Sequence, residues 1–66
     1  IKRVAGTTLN GEGVNVVRPE DNDAAYYTLD EILVKLAKEC KEANASVRAC
    51  LVMKNKNLWI TSLEKI

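Results

Sequence analysis

Residues 27–33 read Tyr-Thr-Leu-Asp-Glu-Ile-Leu and predict the start of a helix. Thr28 and Glu31 have the spacing of a capping box, in which each side chain accepts a hydrogen bond from the backbone N–H of the other residue. Asp30 and Glu31 also stand where the positive end of the helix dipole stabilises carboxylates. A helix that begins here leaves one segment before it and one after it to supply the rest of the fold.

The spacing of apolar residues over 28–44 predicts that this helix buries one side. Apolar side chains recur at intervals of three and four, which is the period of an amphipathic α-helix. Charged residues of alternating sign fill the other side, as is typical of a helix face in solvent. Asn44 is the predicted C-terminal stop of the helix. The predicted buried stripe consists of Leu29, Ile32, Leu33, Leu36, Ala37, Cys40 and Ala43.

The segments on either side of the helix each predict a β-hairpin. Residues 46–54 alternate in polarity and residues 58–63 are rich in strand formers, with the turn residues Lys-Asn-Lys-Asn between them. Residues 1–9 and 14–18 flank Asn-Gly-Glu-Gly, whose Asn-Gly pair suits a tight hairpin turn. Pro19 ends the second of these strands, and an acidic loop over 20–23 follows it.

This order of elements predicts one small α+β domain over residues 1–66, with one main helix packed on one face of a mostly antiparallel sheet. The other face of the sheet is then uncovered. If Val47, Ala49, Leu51 and Met53 face the helix, the uncovered face holds Arg48, Cys50 and Val52. The hairpin register decides whether Trp59, Thr61 and Leu63 or Leu58, Ile60 and Ser62 join them.

Composition limits the classes of protein to which the chain can belong. Its net charge is +1, so nucleic-acid binding requires a local patch of cations. No apolar stretch is long enough for a membrane span, and the lack of an initiating Met indicates a piece excised from a larger multidomain protein. Cys40 and Cys50 are predicted to be free, buried thiols of a reducing compartment.

The chain offers little chemistry for catalysis, so we expect it not to be an enzyme. It contains no His, which removes the usual general base and the commonest metal ligand. Two Cys residues are too few for a structural zinc site, and the glycines at 11 and 13 lack the rest of a phosphate-binding loop. We therefore predict no metal and no cofactor.

One set of cations and an aromatic residue is a candidate site for single-stranded nucleic acid, which such sites bind through phosphate contacts and base stacking. The competing interpretation places the Trp in the core and treats the two lysines as ordinary turn residues. The candidate residues are Lys2, Arg3, Arg48, Lys54, Lys56 and Trp59.

Three stretches carry a resemblance to a known family: Tyr-Tyr-Thr-Leu-Asp-Glu-Ile-Leu at 26–33, Val-Arg-Ala-Cys-Leu-Val-Met at 47–53 and Lys-Asn-Lys-Asn-Leu at 54–58. From about Ala25 to the end, the chain resembles the C-terminal subdomain of the SARS-unique region of betacoronavirus non-structural protein three. That module precedes the ubiquitin-like and papain-like protease domains. The resemblance implies a frataxin-like α+β sandwich without enzymatic activity, which contacts RNA beside neighbouring macrodomain-like modules. It also implies a place in the host cytoplasm, on the cytosolic face of replication membranes derived from the endoplasmic reticulum.

Two functions follow as hypotheses. The first is a monomeric, non-enzymatic accessory module of a viral replicase protein, which contacts single-stranded RNA weakly or modulates adjacent domains of its parent protein, without inserting into a membrane. The second is a protein-interaction module or small inhibitor that docks through the uncovered face around Val52, Trp59 and Leu63. Salt separates the two, because contacts to phosphate weaken steeply as salt rises and apolar contacts do not.

Overall fold

The computed structural model describes residues 1–21 and 23–66. All five strands form one sheet in the order β1-β2-β3-β5-β4, and neighbouring strands are antiparallel except β3 and β5, which are parallel. The helix packs on one face of this sheet. The predicted α+β fold is therefore confirmed. The elements are β1 Arg3–Leu9, β2 Glu12–Arg18, β3 Tyr26–Thr28, α1 Glu31–Glu42, β4 Val47–Lys54 and β5 Asn57–Lys65.

Both predicted hairpins are present, and each closes through two residues with positive φ. Asn10 and Gly11 have φ values of 52° and 84°, and Asn55 and Lys56 have φ values of 50° and 67°. Positive φ at both central residues is the signature of a type I′ turn, whose twist matches that of the strands it joins. The first turn is tighter than the sequence indicated, because β2 already begins at Glu12.

Strand β3 was not predicted, although it joins the two hairpins into one sheet. It pairs with β2 on one side and with β5 on the other. From sequence, this segment was predicted to lead into the helix, since three residues are too few to show the period of a strand. The acidic loop predicted before it contains Asn22, which lies outside the described residues.

The helix begins later than predicted, and its cap is a different residue. Asp30 is the N-cap, with φ −85° and ψ 114°, and its Oδ1 accepts the backbone N–H of Ile32 at 2.9 Å. Thr28 is the buried last residue of β3, and its hydroxyl accepts the backbone N–H of Asp30 at 3.0 Å. The predicted capping box between Thr28 and Glu31 is therefore wrong. The chain needs two residues after the sheet to turn into the helix, so Thr28 stabilises the turn instead of the first helical turn.

The helix ends at Glu42 with the C-cap Ala43, and Asn44, the residue predicted to stop the helix, follows with a φ of 51°. The N–H of Ala45 bonds the carbonyl of Cys40 at 3.0 Å, and the N–H of Asn44 bonds the carbonyl of Lys41 at 3.2 Å. These two bonds form a Schellman motif, which satisfies carbonyls at the end of the helix.

The helix turns a different side to the sheet from the one predicted. Val34, Ala37 and Cys40 are its buried residues, whereas 76% of Ile32 is exposed and Leu29 lies outside the helix in solvent. Ala43, the last member of the predicted stripe, is exposed as well. The stripe is thus wrong at three positions and right at Leu33, Leu36, Ala37 and Cys40, which are buried or half-buried. The buried cluster between helix and sheet consists of Val17, Ala37, Ile60 and Leu63.

An N-cap at Asp30 predicts a different order of stability losses from a capping box between Thr28 and Glu31. Asp30→Ala is expected to lower the free energy of unfolding by about 1 kcal/mol, because the N–H of Ile32 loses its acceptor. Urea unfolding followed by circular dichroism measures this change. Glu31→Ala is the matched control and should cost only about 0.3 kcal/mol, the smaller effect of a charge near the helix dipole. A larger loss for Glu31→Ala than for Asp30→Ala would restore the capping box.

Candidate binding surface on the open sheet face

The sheet has an open face, which is the side turned away from α1. Because alternate residues of a strand point to opposite sides, the neighbours of the core residues Val17, Tyr26 and Ile60 point to this face. The strand register aligns one such residue from every strand, and paired residues share a face. We call this line the central row: Ala5, Val16, Tyr27, Trp59 and Val52.

An aromatic pair forms the middle of the central row. The ring centroids of Tyr27 and Trp59 are 5.7 Å apart and the ring planes are tilted by 47°, which is a favourable arrangement for two aromatic rings. Both side chains are half-buried, and the indole Nε1 of Trp59 is buried without a hydrogen-bond partner among the described residues. Trp59 therefore contributes to packing and also keeps part of its surface in solvent.

Three exposed cations border the central row at one end of the sheet. Arg3, Arg18 and Lys54 each stand two residues from a member of the row on their own strand, so all three share the open face. Arg3 and Arg18 are direct partners across β1 and β2. We call these three residues the cation group. Across the sheet, Arg18 and Lys54 are three strand spacings apart, about 14 Å.

The structure separates the predicted nucleic-acid residues into two sets. Arg3, Lys54 and Trp59 share the open face, and Lys56 lies two residues beyond Lys54 in the hairpin turn. Lys2 directly precedes β1, so its side chain points to the opposite side of the sheet from that of Arg3. Its backbone N–H donates to the carbonyl of Arg18 at 2.8 Å. It therefore does not join the cation group.

Arg48 shares the open face with the cation group but lies at the far end of β4 from Lys54, about 20 Å away along the strand. Its guanidinium bonds the carboxylate of Glu64 at 3.2 Å, and both side chains are mostly exposed. An exposed ion pair contributes little to stability, but it offsets the charge that Arg48 would offer to a phosphate. The structure thus does not bring Arg48 close to Lys54, although both were predicted to belong to one site.

Two residues of this surface, Arg18 and Tyr27, were not predicted from the sequence. Arg18 joins the cation group only because β1 and β2 pair in register, and Tyr27 reaches Trp59 only because β3 lies beside β5. The Asn-Gly turn already placed Arg18 close to Arg3 in the first hairpin, so this signal was available. The position of Tyr27 beside Trp59 depends on the parallel pairing of β3 with β5, which no local sequence pattern indicates.

The register also decides which residues of β5 face outward. It skips Thr61, since Cys50 pairs with Ser62 and Leu51 pairs with Ile60. Trp59 therefore points to the open face, while Leu63 returns to the helix side and is buried in the core. Neither of the two predicted sets is right as a whole, because this irregularity changes the alternation along β5.

A cavity of about 330 Å³ opens between the ends of the two hairpins. A twisted sheet raises two diagonal corners on the same side, and here those corners are the two hairpin turns. Glu12 and Lys54 give the lining one charge of each sign, and Trp59 closes it toward the central row. A larger cavity of about 540 Å³ is lined partly by β4 and the turn after α1 and contains none of the predicted site residues. The smaller cavity is lined by Leu9, Asn10, Glu12, Val14, Leu29, Lys54, Asn55 and Trp59.

Residues 1–21 and 23–66 contain no group of three His, Cys, Asp or Glu side chains that could hold a metal ion. The described helix is too short and too polar to cross a membrane. Both cysteines are free, but Cys50 is exposed and only Cys40 is buried. The prediction of two buried thiols is therefore wrong for Cys50, which points to the open face.

Comparisons with known proteins give no match: no family model, no curated protein and no solved structure matches the chain. The residues of the open face are thus the basis for a functional proposal. They combine an aromatic pair, a group of cations and a cavity on one side of the sheet.

Proposed function

We propose that the protein is a non-enzymatic accessory module that contacts single-stranded RNA weakly through the open face of its sheet. The observation that supports this most is the placement of the Tyr27–Trp59 pair beside the cation group on one surface. In a larger multidomain protein, such as the viral replicase protein that the chain resembles, such contacts tune the binding of a neighbouring RNA-binding domain.

The chemistry of this surface suits a single strand better than a duplex. A base of a single strand is free to stack on a partly exposed aromatic ring, and stacking contributes about 1–3 kcal/mol per base without strong sequence preference. Arg3 and Arg18 lie on one side of the aromatic pair and Lys54 lies on the other, so cations flank a stacked base on both sides. Because the rings are half-buried and the net charge is only +1, the expected affinity is weak.

The second candidate function is docking of a protein partner through apolar contacts. It is favoured by the exposed apolar side chain of Val52, which lies on the open face beside Trp59. Leu63 was part of the docking surface predicted from sequence, but it lies in the core and is unable to contribute. Such docking depends little on salt, whereas binding of RNA weakens steeply as salt rises.

An NMR titration of the isotope-labelled chain with a short oligouridylate tests the RNA proposal. At low salt we expect shifts of the backbone amides of Arg3, Arg18 and Lys54 and of the Trp59 indole, and we expect moderate salt to reverse them. Shifts spread over the whole chain, or no shifts at either salt concentration, would reject the open face as an RNA site and favour protein docking.

A pair of charge variants assigns the effect to the open face. Arg18→Gln should weaken oligouridylate binding, because it removes one cation of the group beside the aromatic pair. Lys2→Gln removes an equal charge from a neighbouring position outside the group and should leave binding nearly unchanged. Equal weakening by the two variants would mean that net charge, and not this surface, attracts the RNA.

A further inference from the structure

Strand β4 forms one edge of the sheet, and no described strand lies beyond it. The hydroxyl of Thr61 donates to the carbonyl of Cys50 at 3.2 Å, and the N–H of Ile66 donates to the carbonyl of Ser46 at 2.9 Å. Residues with even numbers therefore direct their backbone groups inward, toward β5. Because backbone groups alternate along a strand, those of the odd-numbered residues point outward and are open to another strand. The outward-directed residues are Val47, Ala49, Leu51 and Met53.

The edge at β4 is apolar, unlike the edge at β1. Leu51, Val52 and Met53 are 38%, 47% and 63% exposed. The corresponding stretch of β1 is Gly-Thr-Thr, which is polar and exposed. An apolar, unpaired edge strand favours pairing with a further strand, and soluble proteins usually protect such edges with charges, Pro or bulges. Between Val47 and Lys54, the only charged residue of β4 is Arg48.

We propose that β4 pairs antiparallel with β4 of a second copy of the chain, and that Cys50 lies opposite Cys50 of the second copy. This goes beyond the proposed contact with RNA and replaces the monomer expected from sequence by a dimer with one continuous sheet. A two-fold axis turns the same face of both copies to the same side. Residues that lie opposite each other in this pair must point to the same face of the sheet. The two-fold axis therefore passes between one residue of β4 and the same residue of the second copy.

Charge selects among the possible registers. A pair centred on Leu51 sets Arg48 opposite Lys54, and like charges directly opposite each other are destabilising. A pair centred on Val52 joins only residues 50–54 and leaves the first half of the strand unpaired. A pair centred on Ala49 likewise joins only residues 47–51 and leaves the second half of the strand unpaired. The register centred on Cys50 joins residues 47–53 and has no like charges opposite each other.

The register centred on Cys50 also covers the strand almost completely. Its pairs are apolar or mixed, and the small net charge of +1 adds little repulsion between the copies. The opposed residues are Val47 with Met53, Arg48 with Val52, Ala49 with Leu51 and Cys50 with Cys50.

This register gives the two Cys50 thiols a geometry that an experiment can read. Since the backbone groups of Cys50 point inward, the Cys50 pair is a non-hydrogen-bonded pair, in which the Cα atoms are about 4.5 Å apart. That distance lies within the range that a disulfide spans. Diamide, a diazene oxidant, takes up two electrons and two protons from the two thiols and becomes a hydrazine as the S–S bond forms. Cys40 is buried and should not react.

Sedimentation velocity of the full chain over a range of concentrations tests the dimer directly. We expect the wild type to dimerise as its concentration rises, and Met53→Lys to weaken the dimer roughly tenfold by placing a charge opposite Val47 of each partner. Thr7→Lys is the matched control, because it adds the same charge to the exposed β1 edge, and it should dimerise like the wild type. A wild type that stays monomeric at all concentrations, or equal weakening by both variants, would overturn the proposal.

Crosslinking by diamide then tests the register. We expect a disulfide-linked dimer from the wild type and from Thr7→Lys, none from Cys50→Ser, and much less from Met53→Lys at the same concentration. A dimer in solution that diamide fails to link would exclude the register centred on Cys50. Linking that is unaffected by Met53→Lys would indicate random collision of exposed thiols and reject pairing through β4.

Discussion

Val34→Ala is expected to lower the free energy of unfolding by about 2 kcal/mol, whereas Ile32→Ala should change it by less than about 0.5 kcal/mol. Val34 is only 5% exposed, so its truncation removes buried methyl groups and leaves a cavity. Ile32 is largely exposed, and its truncation loses little burial. Both changes gain the same advantage of Ala as a helix former, which makes the two variants well matched.

Urea unfolding of the two variants, followed by circular dichroism, measures this difference. The pair discriminates between the two possible orientations of α1. The sequence pattern placed Ile32 in the buried stripe and left Val34 out of it, which predicts the opposite order of the two losses. A larger loss for Ile32→Ala would mean that α1 faces the sheet with the side predicted from sequence.

The local features of this fold were predictable because they depend on neighbouring residues alone. Asn10-Gly11 and Asn44 adopt positive φ, a conformation that Gly and Asn tolerate better than other residues. The end of α1 and the first hairpin turn followed from such preferences, and the existence of α1 followed from the spacing of its apolar residues. The N-cap was predicted at the wrong residue. Thr28 and Asp30 both stand before acidic and apolar residues, as an N-cap does, so the sequence pattern fits either of them. Only the end of β3 shows that the chain is still in the sheet at Thr28.

The orientation of α1 was not predictable from its period. Leu33, Leu36, Ala37 and Cys40 belong to the buried or half-buried side in either orientation. Whether Ile32 or Val34 belongs to the buried side of α1 depends on how the helix lies against the sheet. The spacing of apolar residues does not contain that information. The skipped residue Thr61 is a similar case, because an irregularity between two strands has no local sequence signal here.

The candidate surface was predictable only in part for the same reason. Arg3, Lys54 and Trp59 were found as residue types, since cations and aromatic rings are what nucleic acid requires. Tyr27 could not be added without the parallel pairing of β3 with β5. Arg48 could not be excluded from the candidate surface without knowledge of its ion pair to Glu64. Glu64 is distant from Arg48 in sequence but lies next to it across β4 and β5.

Trp59→Ala is expected to lower the free energy of unfolding by about 3 kcal/mol, the largest loss among the variants considered. The indole lies in the middle of the central row, pairs with Tyr27 and closes the cavity between the hairpins. A domain of this size is stable by only about 3–5 kcal/mol, so this variant should be close to unfolded in water. Thermal and urea unfolding measure the loss, and a variant as stable as the wild type would show that the indole does not pack on Tyr27.

Trp59→Phe is the control that separates packing from binding. It keeps an aromatic ring against Tyr27 and removes the Nε1 donor, which is buried without a partner among the described residues. Such burial costs free energy. We therefore expect a much smaller loss of stability than for Trp59→Ala. Because a phenyl ring also stacks with bases, the folded Trp59→Phe variant should still bind oligouridylate, with somewhat lower affinity. If this variant is folded and no longer binds, then the indole itself, and not an aromatic plane in general, makes the contact with RNA.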